Sequence, residues 1–375
     1  MGERKIYYLG FYDRAGAKYK RNYVLAATTK MDYIAQSIVS KGLNVDIISA
    51  SVIVEKRRVF TKGEKRIIEH GITLTTLLSF GTRTKMGMRM KMVFILFVVF
   101  FKLLAIKRNA TLLVYHSPWL SLPVRMAKRV KNFRLILEIE EIYADITSLG
   151  KLFDKMEYAL INAADCYLLS TDLLKQKVSS AKPSVVIYGR YKIEPQLAKP
   201  VDDGKVRLLY GGVIDKKKAG AFNALYASQY LDDRYELHII GFGEIELLKQ
   251  EIEELNKKNS CKVYYDGLLS GDEYIAYCQQ CHVGLSTQKM EGKYIESSFP
   301  SKILSYLSMG LNVVSGRIKC VEVSQIGKMV TYYDDDTPQS IAAAIISLKF
   351  RQTEEILTLI KMQNENFIDS LNKLL

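Results

Sequence analysis

Cysteine is scarce in the sequence, and long hydrophobic runs are missing from it. The five cysteines are odd in number and scattered over 375 residues, and no signal peptide precedes them. Because disulfide-stapled secreted proteins show the opposite pattern, we expect a reducing, cytoplasmic environment. The uninterrupted apolar run Met92–Phe101 falls well short of the roughly 20 residues that cross a bilayer.

Several short motifs suggest chemistry that the rest of the sequence does not support. CQQCH (278–282) matches the pattern of covalent haem attachment, but that chemistry requires export, so we interpret its cysteines as core thiols. A zinc site would need a second pair of ligands, and DDD (334–336) is typical of a solvated turn, so we predict no metal site. The basic stretches KRRVF (56–60) and AKRVK (127–131) lack a nucleic-acid-binding signature, and we expect no nucleic-acid partner.

Positive charge is concentrated in the first half of the chain. The net charge is +14, and residues 1–200 carry 34 Lys and Arg against 16 Asp and Glu, whereas residues 201–375 carry 20 against 24. A strongly basic half indicates an anionic partner, and with nucleic acid set aside this is a phospholipid surface or a phosphorylated substrate.

Short apolar runs alternate with helical segments, such as the helix that we predict over 29–42, and this pattern indicates the fold class. We predict strands at 6–12, 44–51, 111–116, 133–143 and 165–170, and, after a break, at 206–212, 235–243, 262–267, 282–287, 311–316 and 329–333. Such alternation is typical of parallel sheets covered on both faces. The break at 188–205, with two prolines and adjacent aspartates, marks a linker. We therefore expect two doubly wound α/β domains that face each other across a cleft, with ligands at the carboxyl ends of the strands.

The segment KMVFILFVVFFKLLAIKR (91–108) has two interpretations, and both stay open. It is either a buried helix of the first sheet or a helix partly sunk in a membrane surface, with its basic flanks on anionic head groups.

The stretch ESSFPSKILSYLSMGLNVVS (296–315) has the pattern of an anion-binding helix. Pro300 suits the first turn of a helix, Gly310 ends it, and Ser301 and Lys302 lie beside its first turn. Free amide groups and the positive end of the helix dipole attract an anion there, and Lys302 adds a full charge. The alternative is a capped core helix with a solvated lysine.

Four segments in this order resemble the donor-binding domain of GT-B glycosyltransferases. They are VRLLYGGVIDKKKAG (206–220), YELHIIGFGE (235–244), VYYDGLLSGDEYIAYCQQCHVGLSTQ (263–288) and FPSKILSYLSMGLNVVSGR (299–317). The likeness is greatest to family 4, as found in bacterial capsule and lipopolysaccharide clusters. It implies the GT-B fold, with two Rossmann-like domains: an acceptor-side domain at 1–190, a linker at 191–205, a donor-binding domain at 206–353, and a final helix at 354–375 that returns to the first domain.

The resemblance also implies which residues act. In the family, positive groups after the first strand of the second domain neutralise the donor's diphosphate, and two glutamates eight residues apart contact the sugar and the ribose. The donor-binding residues carried over to this chain are Gly211, Gly212, Lys216, Lys217, Lys218, Gly241, Phe242, Gly243, Phe299, Pro300, Ser301 and Ser305. The residues expected at the reaction centre are Lys302, Glu296, His116 and Glu141. For His116, at the end of an apolar strand, a hydrogen-bonded structural role is the alternative to a proton carrier. Glu296 lies near the first glutamate position, Ser305 occupies the second, and Val213 stands where many members have an arginine.

The activity implied by the resemblance is hexosyl transfer from a nucleotide sugar, such as a UDP- or GDP-sugar, with no cofactor and no metal. The expected acceptor is a hydroxyl of a saccharide on a polyprenyl diphosphate, in surface-polysaccharide biosynthesis at the inner face of the cell membrane. Retention of the anomeric configuration follows from the likeness to family 4. Two alternatives remain: a sugar-nucleotide epimerase on the same fold, and a degenerate, non-catalytic homologue that binds an active enzyme, which Ser305 and Val213 keep open.

Overall fold

The computed structural model describes residues 5–14, 19–56, 59–146, 150–290 and 298–375. The chain divides into two compact units, the first comprising Met1–Arg190 with Asn366–Leu375 and the second Tyr191–Glu365.

The first unit is built around a mostly parallel sheet. Its strands are β1 (Lys5–Gly10), β2 (Asn44–Ser49), β3 (Phe60–Thr61), β4 (Lys65–Glu69), β5 (Ile72–Thr76), β6 (Ser79–Phe80), β7 (Thr111–Tyr115), β8 (Arg134–Ile139), β9 (Cys166–Leu169) and β10 (Ser184–Val186). Its helices are α1 (Leu25–Val39), α2 (Lys85–Leu104), α3 (Ser121–Lys131), α4 (Tyr143–Ile146) and α5 (Lys151–Ala163). The strand order in the described sheet is β10-β9-β8-β7-β1-β2-β5-β4, with β4 antiparallel to β5, while β3 and β6 form a separate antiparallel pair.

The central strands of this unit are buried because both faces of the sheet are covered. On one face, alternate residues of β8, namely Leu135, Leu137 and Ile139, join a core with Val99 of α2 and Val124 of α3. A fully buried Leu or Val of this kind stabilises the fold by about 1.5–3 kcal/mol. The near-continuous apolar runs that predicted these strands follow from this two-sided burial.

The second unit carries a parallel sheet of the same type. Its strands are β11 (Val206–Ile214), β12 (Tyr235–Gly243), β13 (Lys262–Tyr265), β14 (Val283–Ser286), β15 (Asn312–Gly316) and β16 (Val330–Tyr333). Its helices are α6 (Gly220–Ala227), α7 (Ile245–Asn256), α8 (Gly271–Gln279), α9 (Ser301–Ser308), α10 (Lys319–Glu322) and α11 (Pro338–Ile346). The order β13-β12-β11-β14-β15-β16 reverses direction after β11, and ligands of doubly wound sheets bind beside such a reversal.

The last helix, α12 (Thr353–Leu374), extends from the second unit into the first. Its final part packs there through Phe367, whose ring stacks on that of Tyr33 at 5.6 Å between centroids. An ion pair of 2.8 Å between Asp369 and Lys41 lies nearby.

The predicted alternation of strands and helices is confirmed, and the differences lie at the ends of elements and in short strands. The helix predicted over 29–42 runs from Leu25 to Val39, and Gly42 lies in the turn that follows, with φ of 78°. Pro300 precedes α9 with ψ of 111° instead of occupying its first turn. The hairpin of β4 and β5 was not predicted, since its first strand is short and half polar at a sheet edge.

The five cysteines all lie in the described residues, are buried and form no disulfide, so the core-thiol interpretation of CQQCH is confirmed. In the part of the chain that the structure describes, no cluster of His, Cys, Asp and Glu is arranged to hold a metal ion. No described helix combines the length and hydrophobicity that crossing a bilayer requires.

Candidate donor-binding site

Glycines bring the carboxyl ends of β11 and β12 into close contact. Gly212 pairs with Gly241, and Ile214 pairs with Gly243. A Cβ atom at position 241 would lie 1.8 Å from the carbonyl oxygen of Gly212, and one at position 243 would lie 2.1 Å from that of Ile214. Gly241 and Gly243 also have φ of 142° and 136°, values that favour glycine. The sequence GFG is therefore required by the strand geometry itself.

Lys302, from the first turn of α9, lies directly against this glycine pair. A Cβ atom at Gly212 would be 2.7 Å from both Cε and Nζ of Lys302. The ammonium group also lies 5.2 Å from the ring centroid of Tyr210, a distance at which the face of the ring attracts a cation. The lysine is thus held over the ends of the strands and is not a freely solvated side chain.

Lys302 and Lys218 lie close enough for their charges to interact. Burial, and then the charge of Lys218, lowers the pKa of Lys302. Among the described residues, no carboxylate acts on Lys302 to offset these two effects. The hydrogen bond from the Lys218 amide, and after it the charge of Lys218, also lowers the pKa of the Asp215 carboxylate, whereas Lys302 has no such partner among the described residues. Two cations this close together form a site at which an anion is stabilised.

The turn Lys216–Lys218 separates its three lysines. Asp215 accepts hydrogen bonds from the backbone N–H groups of Lys217 and Lys218, at 2.7 and 3.1 Å. The Lys216 side chain reaches Glu251, with Nζ 3.3 Å from the carboxylate. Of the three lysines, Lys218 is therefore the one whose charge reaches Lys302, while Lys216 is paired elsewhere.

The N-terminus of α9 is free of a side-chain cap in the part of the structure that is described. Ser301 is exposed there, whereas Ile303 and Leu304 of the same turn are buried in the unit. Gly310 follows the helix with φ of 83°, a conformation in which glycine commonly ends helices. The helix is thus anchored by its apolar face, while Ser301 at its start is open to solvent and the N-terminal end of the helix dipole is not capped by a described side chain.

Two tyrosines that belong to no predicted motif contact Gly211, which with Gly212 forms the glycine turn near the end of β11. The buried hydroxyl of Tyr306 accepts a hydrogen bond of 2.9 Å from the Gly211 amide. Tyr274 lies beside it and hydrogen-bonds Ser305, the residue at the family's second glutamate position. A Cβ atom at Gly211 would be 3.6 Å from the hydroxyl oxygen of Tyr274. Tyrosine pairs of this kind leave no signal in one sequence, because their partners are far apart along the chain.

Two buried serines face each other in the register of β14 and β15. Ser286 pairs with Ser315 at the carboxyl ends of the strands, and both are essentially inaccessible to solvent. Neither hydroxyl group has a hydrogen-bond partner among the described residues. Buried hydroxyls normally have one, so these two are candidates for contact with a polar ligand.

The remaining predicted residues are dispersed. Phe242 is 54% exposed and Phe299 is buried. Glu296 lies outside the described residues. His116 and Glu141 belong to the first unit.

His116 is buried between two oxygen atoms of the first unit. Its Nδ1 lies 3.1 Å from the carbonyl oxygen of Glu141, and its Nε2 lies 3.3 Å from Oε1 of Glu157. Glu157 also accepts hydrogen bonds of 2.8 Å from the amides of Tyr143 and Ala144 at the start of α4. Burial lowers the pKa of His116 to about 4, so the imidazole is neutral at pH 7 and donates Nδ1–H to the carbonyl oxygen.

Acidic and phenolic groups form a second buried cluster near the end of β8. Glu138 is fully buried and accepts a hydrogen bond from the hydroxyl of Tyr8. Glu140 accepts one of 2.5 Å from Lys30. Burial, and then the charge of Glu140, raises the pKa of Glu138 to about 8. Glu138 is therefore largely protonated at pH 7 beside Glu140, because burying two neighbouring charged carboxylates is costly.

The part of the chain that contains this site matches a known protein family. Residues 204–349 match the sequence model of the family described as "Glycosyl transferases group 1". A search of curated proteins by sequence finds no match.

Solved structures match over nearly the whole chain. Sucrose-phosphate synthase from Thermosynechococcus elongatus is 14% identical, with a TM-score of 0.62 over 99% of this chain and 95% of that one. HepE of Anabaena, solved in complex with UDP, is 11% identical, with a TM-score of 0.60 over 98% and 96% of the two chains. The lipopolysaccharide outer core galactosyltransferase WaaB is 16% identical, with a TM-score of 0.65 over 99% and 100%.

The chain therefore has the GT-B fold of glycosyltransferases, as predicted. The family match falls on the second unit, which carries Lys302, Lys218 and the glycine turn, and it supports glycosyl transfer as the class of reaction.

Proposed function

We propose that this protein transfers a hexosyl group from a nucleoside-diphosphate sugar to a hydroxyl group of a saccharide acceptor. The observation that carries the proposal is the position of Lys302 against Gly212, at the glycine-lined ends of β11 and β12, with Lys218 near enough for its charge to act on Lys302. Positive charge placed against a backbone without side chains suits a diphosphate, which needs both counter-charge and close approach.

In the proposed reaction, catalysis is largely electrostatic. Negative charge grows on the diphosphate as the glycosidic bond to the sugar breaks. The ammonium groups of Lys302 and Lys218 and the first amides of α9 stabilise that charge, so no metal is required for this step. Groups fixed before the reaction are effective because they do not reorganise as the charge develops. Retention of configuration is part of the proposal and follows from the likeness to family 4.

The proposed acceptor is a saccharide linked to polyprenyl diphosphate, in surface-polysaccharide biosynthesis at the cytoplasmic face of a membrane. The basic first half of the chain supports an anionic acceptor of this kind. HepE was solved with UDP and WaaB acts on the lipopolysaccharide outer core, and both properties fit a UDP-sugar donor and a surface-glycan product.

The contacts of His116 favour a positioning role over proton transfer. A neutral, buried imidazole whose Nδ1–H is donated to the Glu141 carbonyl oxygen holds the segment before α4 in place. Glu141 itself is partly exposed, and we propose that its side chain contacts the acceptor from within the segment that His116 fixes.

The direct test is turnover of Lys302→Ala with a panel of nucleotide sugars and saccharide acceptors. We expect at least a ~100-fold loss, the scale of removing one preorganised charge-stabilising group, with unchanged folding by circular dichroism. Lys361→Ala is the matched control, since Lys361 is an exposed lysine on α12. Wild-type turnover in Lys302→Ala would remove the central assignment.

A thermal-shift screen for binding and a product assay for turnover together separate this proposal from its rivals. UDP, GDP and their sugars should raise the melting temperature of the wild type and much less that of Lys302→Ala. Release of an isomerised sugar nucleotide without any acceptor would identify an epimerase. Binding without turnover over any acceptor would support the non-catalytic homologue.

A further inference from the structure

Helix α2 is apolar on two opposite sides, although only one side faces the core. Ile95, Val99 and Leu103 are buried against the first sheet. On the other side, at helical spacing, lie five exposed residues with 52–64% of their surface accessible: Met86, Met90, Val93, Phe97 and Phe101. A surface helix normally places polar residues on that side, so the outward line of α2 needs an explanation.

Helix α3 packs beside α2 and also carries exposed apolar side chains. Leu122, Met126 and Val130 follow one another at intervals of four residues and are 44–53% exposed. These three residues and the five of α2 are called the α2–α3 face. Eight large apolar side chains on two adjacent helices exceed the scattered exposure of an ordinary surface.

The charge around the α2–α3 face has one sign. Between residues 70 and 137 the chain carries 12 Lys and Arg and no Asp or Glu. Lys85 and Arg89 lie at the start of α2, and Arg125 and Arg129 flank the apolar line of α3. These four side chains form no ion pair with any described carboxylate, in contrast to Lys128, which pairs with Asp165.

We propose that the α2–α3 face docks on the surface of an anionic lipid bilayer, with both helices lying along the interface. Apolar side chains would enter the boundary between head groups and acyl chains while the flanking cations contact the head groups. A second copy of the chain is a poorer occupant, because it would bring the same positive charges into contact. This docking rests on the peripheral membrane location in the proposed function, for which it names the contact surface. It does not depend on the donor site.

Both components of such binding have measurable signatures. Apolar insertion depends on the side chains of Phe97 and Phe101, whereas attraction to head groups weakens as salt screens the cations. Binding should therefore need anionic lipid, fall with ionic strength, and fall again when the two phenylalanines become polar.

Trp119 provides a native reporter of docking. It is the one tryptophan of the chain, it is 36% exposed, and it lies three residues before Leu122. Vesicles of phosphatidylcholine with phosphatidylglycerol should shift its emission to shorter wavelength, and brominated lipid in the same vesicles should quench it. Vesicles of phosphatidylcholine alone should do neither at physiological salt.

Two variants with a matched control complete the test, read by vesicle co-sedimentation. Phe97→Ser with Phe101→Ser, and separately Arg125→Glu with Arg129→Glu, should each weaken binding at least ~10-fold. Ile346→Ser with Phe350→Ser, which are equally exposed in the second unit, should bind as the wild type does. Lys302→Ala should also bind normally, which separates docking from donor chemistry.

Three results would overturn the inference. They are absence of binding to the anionic vesicles, equal binding by the Phe97→Ser and Phe101→Ser double variant, and a dimer in sedimentation velocity that this double variant dissociates. The last result would assign the face to a second copy of the chain. None of the substituted side chains is fully buried, so melting curves should show that each variant folds.

Discussion

Gly212 and Lys302 share a space that holds one side chain only. The aliphatic end of the lysine fills the position in which a Cβ atom at residue 212 would stand, and the φ of 152° at Gly212 is one that L residues rarely adopt. The ammonium group of Lys302 can therefore occupy this position only because residue 212 has no side chain.

We expect Gly212→Ala to displace the ammonium group of Lys302 and to lower turnover at least ~10-fold, with a higher KM for the nucleotide sugar. Steady-state kinetics with varied donor measures both effects. Gly204→Ala is the control for backbone strain, since Gly204 has φ of 79° and no atom within 4 Å of an added Cβ. Unchanged donor kinetics in Gly212→Ala would mean that the position of Lys302 is not used.

The pKa of Lys302 predicts how donor affinity depends on pH. Burial and then Lys218 lower this pKa, and the lysine carries its charge only below it. Affinity for UDP or GDP should therefore fall with rising pH earlier than an ordinary lysine would cause, and binding near that pH should take up a proton. Titration calorimetry in two buffers of different ionisation enthalpy measures the uptake.

Removal of the neighbouring charge gives the matched comparison. Lys218→Ala should weaken binding of the nucleotide at pH 7 and move the pH at which affinity falls upward, because Lys302 then loses a like charge. Lys249→Ala on α7 should leave the pH profile where it was. A profile that Lys218→Ala does not shift would contradict the coupling of the two lysines.

Glu138 predicts the pH dependence of stability. Its pKa is raised from 4.5 to about 8 by burial and by Glu140, so the folded state holds a proton that the unfolded state releases as pH rises through 4.5. The free energy of unfolding should consequently fall between about pH 4.5 and pH 8. Glu138→Gln should remove much of that slope, because a glutamine accepts from Tyr8 and donates to Glu140 without titrating.

Urea unfolding at pH 5 and pH 8 checks this prediction. The wild type should lose more stability than Glu138→Gln between the two pH values, and the exposed Glu64→Gln control should follow the wild type. Parallel losses in wild type and Glu138→Gln would show that Glu138 is ionised in the folded protein.

The sequence predicts the sheets of both units well because buried parallel strands appear as continuous apolar runs between helical segments. It predicts the edges poorly. The polar strand β4 resembles a loop, and α9 begins one residue later than the proline suggests because Pro300 is in extended conformation. Local sequence does not distinguish a polar edge strand from a loop, nor does it fix the first residue of a helix.

Within the candidate site, short-range motifs were predictable and long-range partners were not. The lysine turn, the glycines and the start of α9 are contiguous motifs. The pairing of Lys216 with Glu251, the contact of Lys302 with Gly212, and the tyrosines below the turn join residues far apart in the chain. The exposed side of α2 was likewise not predictable. When a helix is apolar all round, its sequence does not show whether one side or both sides are buried.

His116 provides the last prediction, which separates a structural role from a chemical one. In His116→Asn the shorter amide can still donate to the Glu141 carbonyl oxygen but leaves part of the space of the buried ring empty, so we expect a loss of about 1–3 kcal/mol in the free energy of unfolding. The pH profile of kcat/KM should keep its shape, because a neutral histidine with a pKa of about 4 contributes no titration near pH 6–7. Denaturant unfolding and pH-dependent kinetics on the same preparation measure the two effects. Loss of a titrating limb in the variant, at wild-type stability, would instead make His116 a proton carrier and would require its ring to reach the substrate in another conformation.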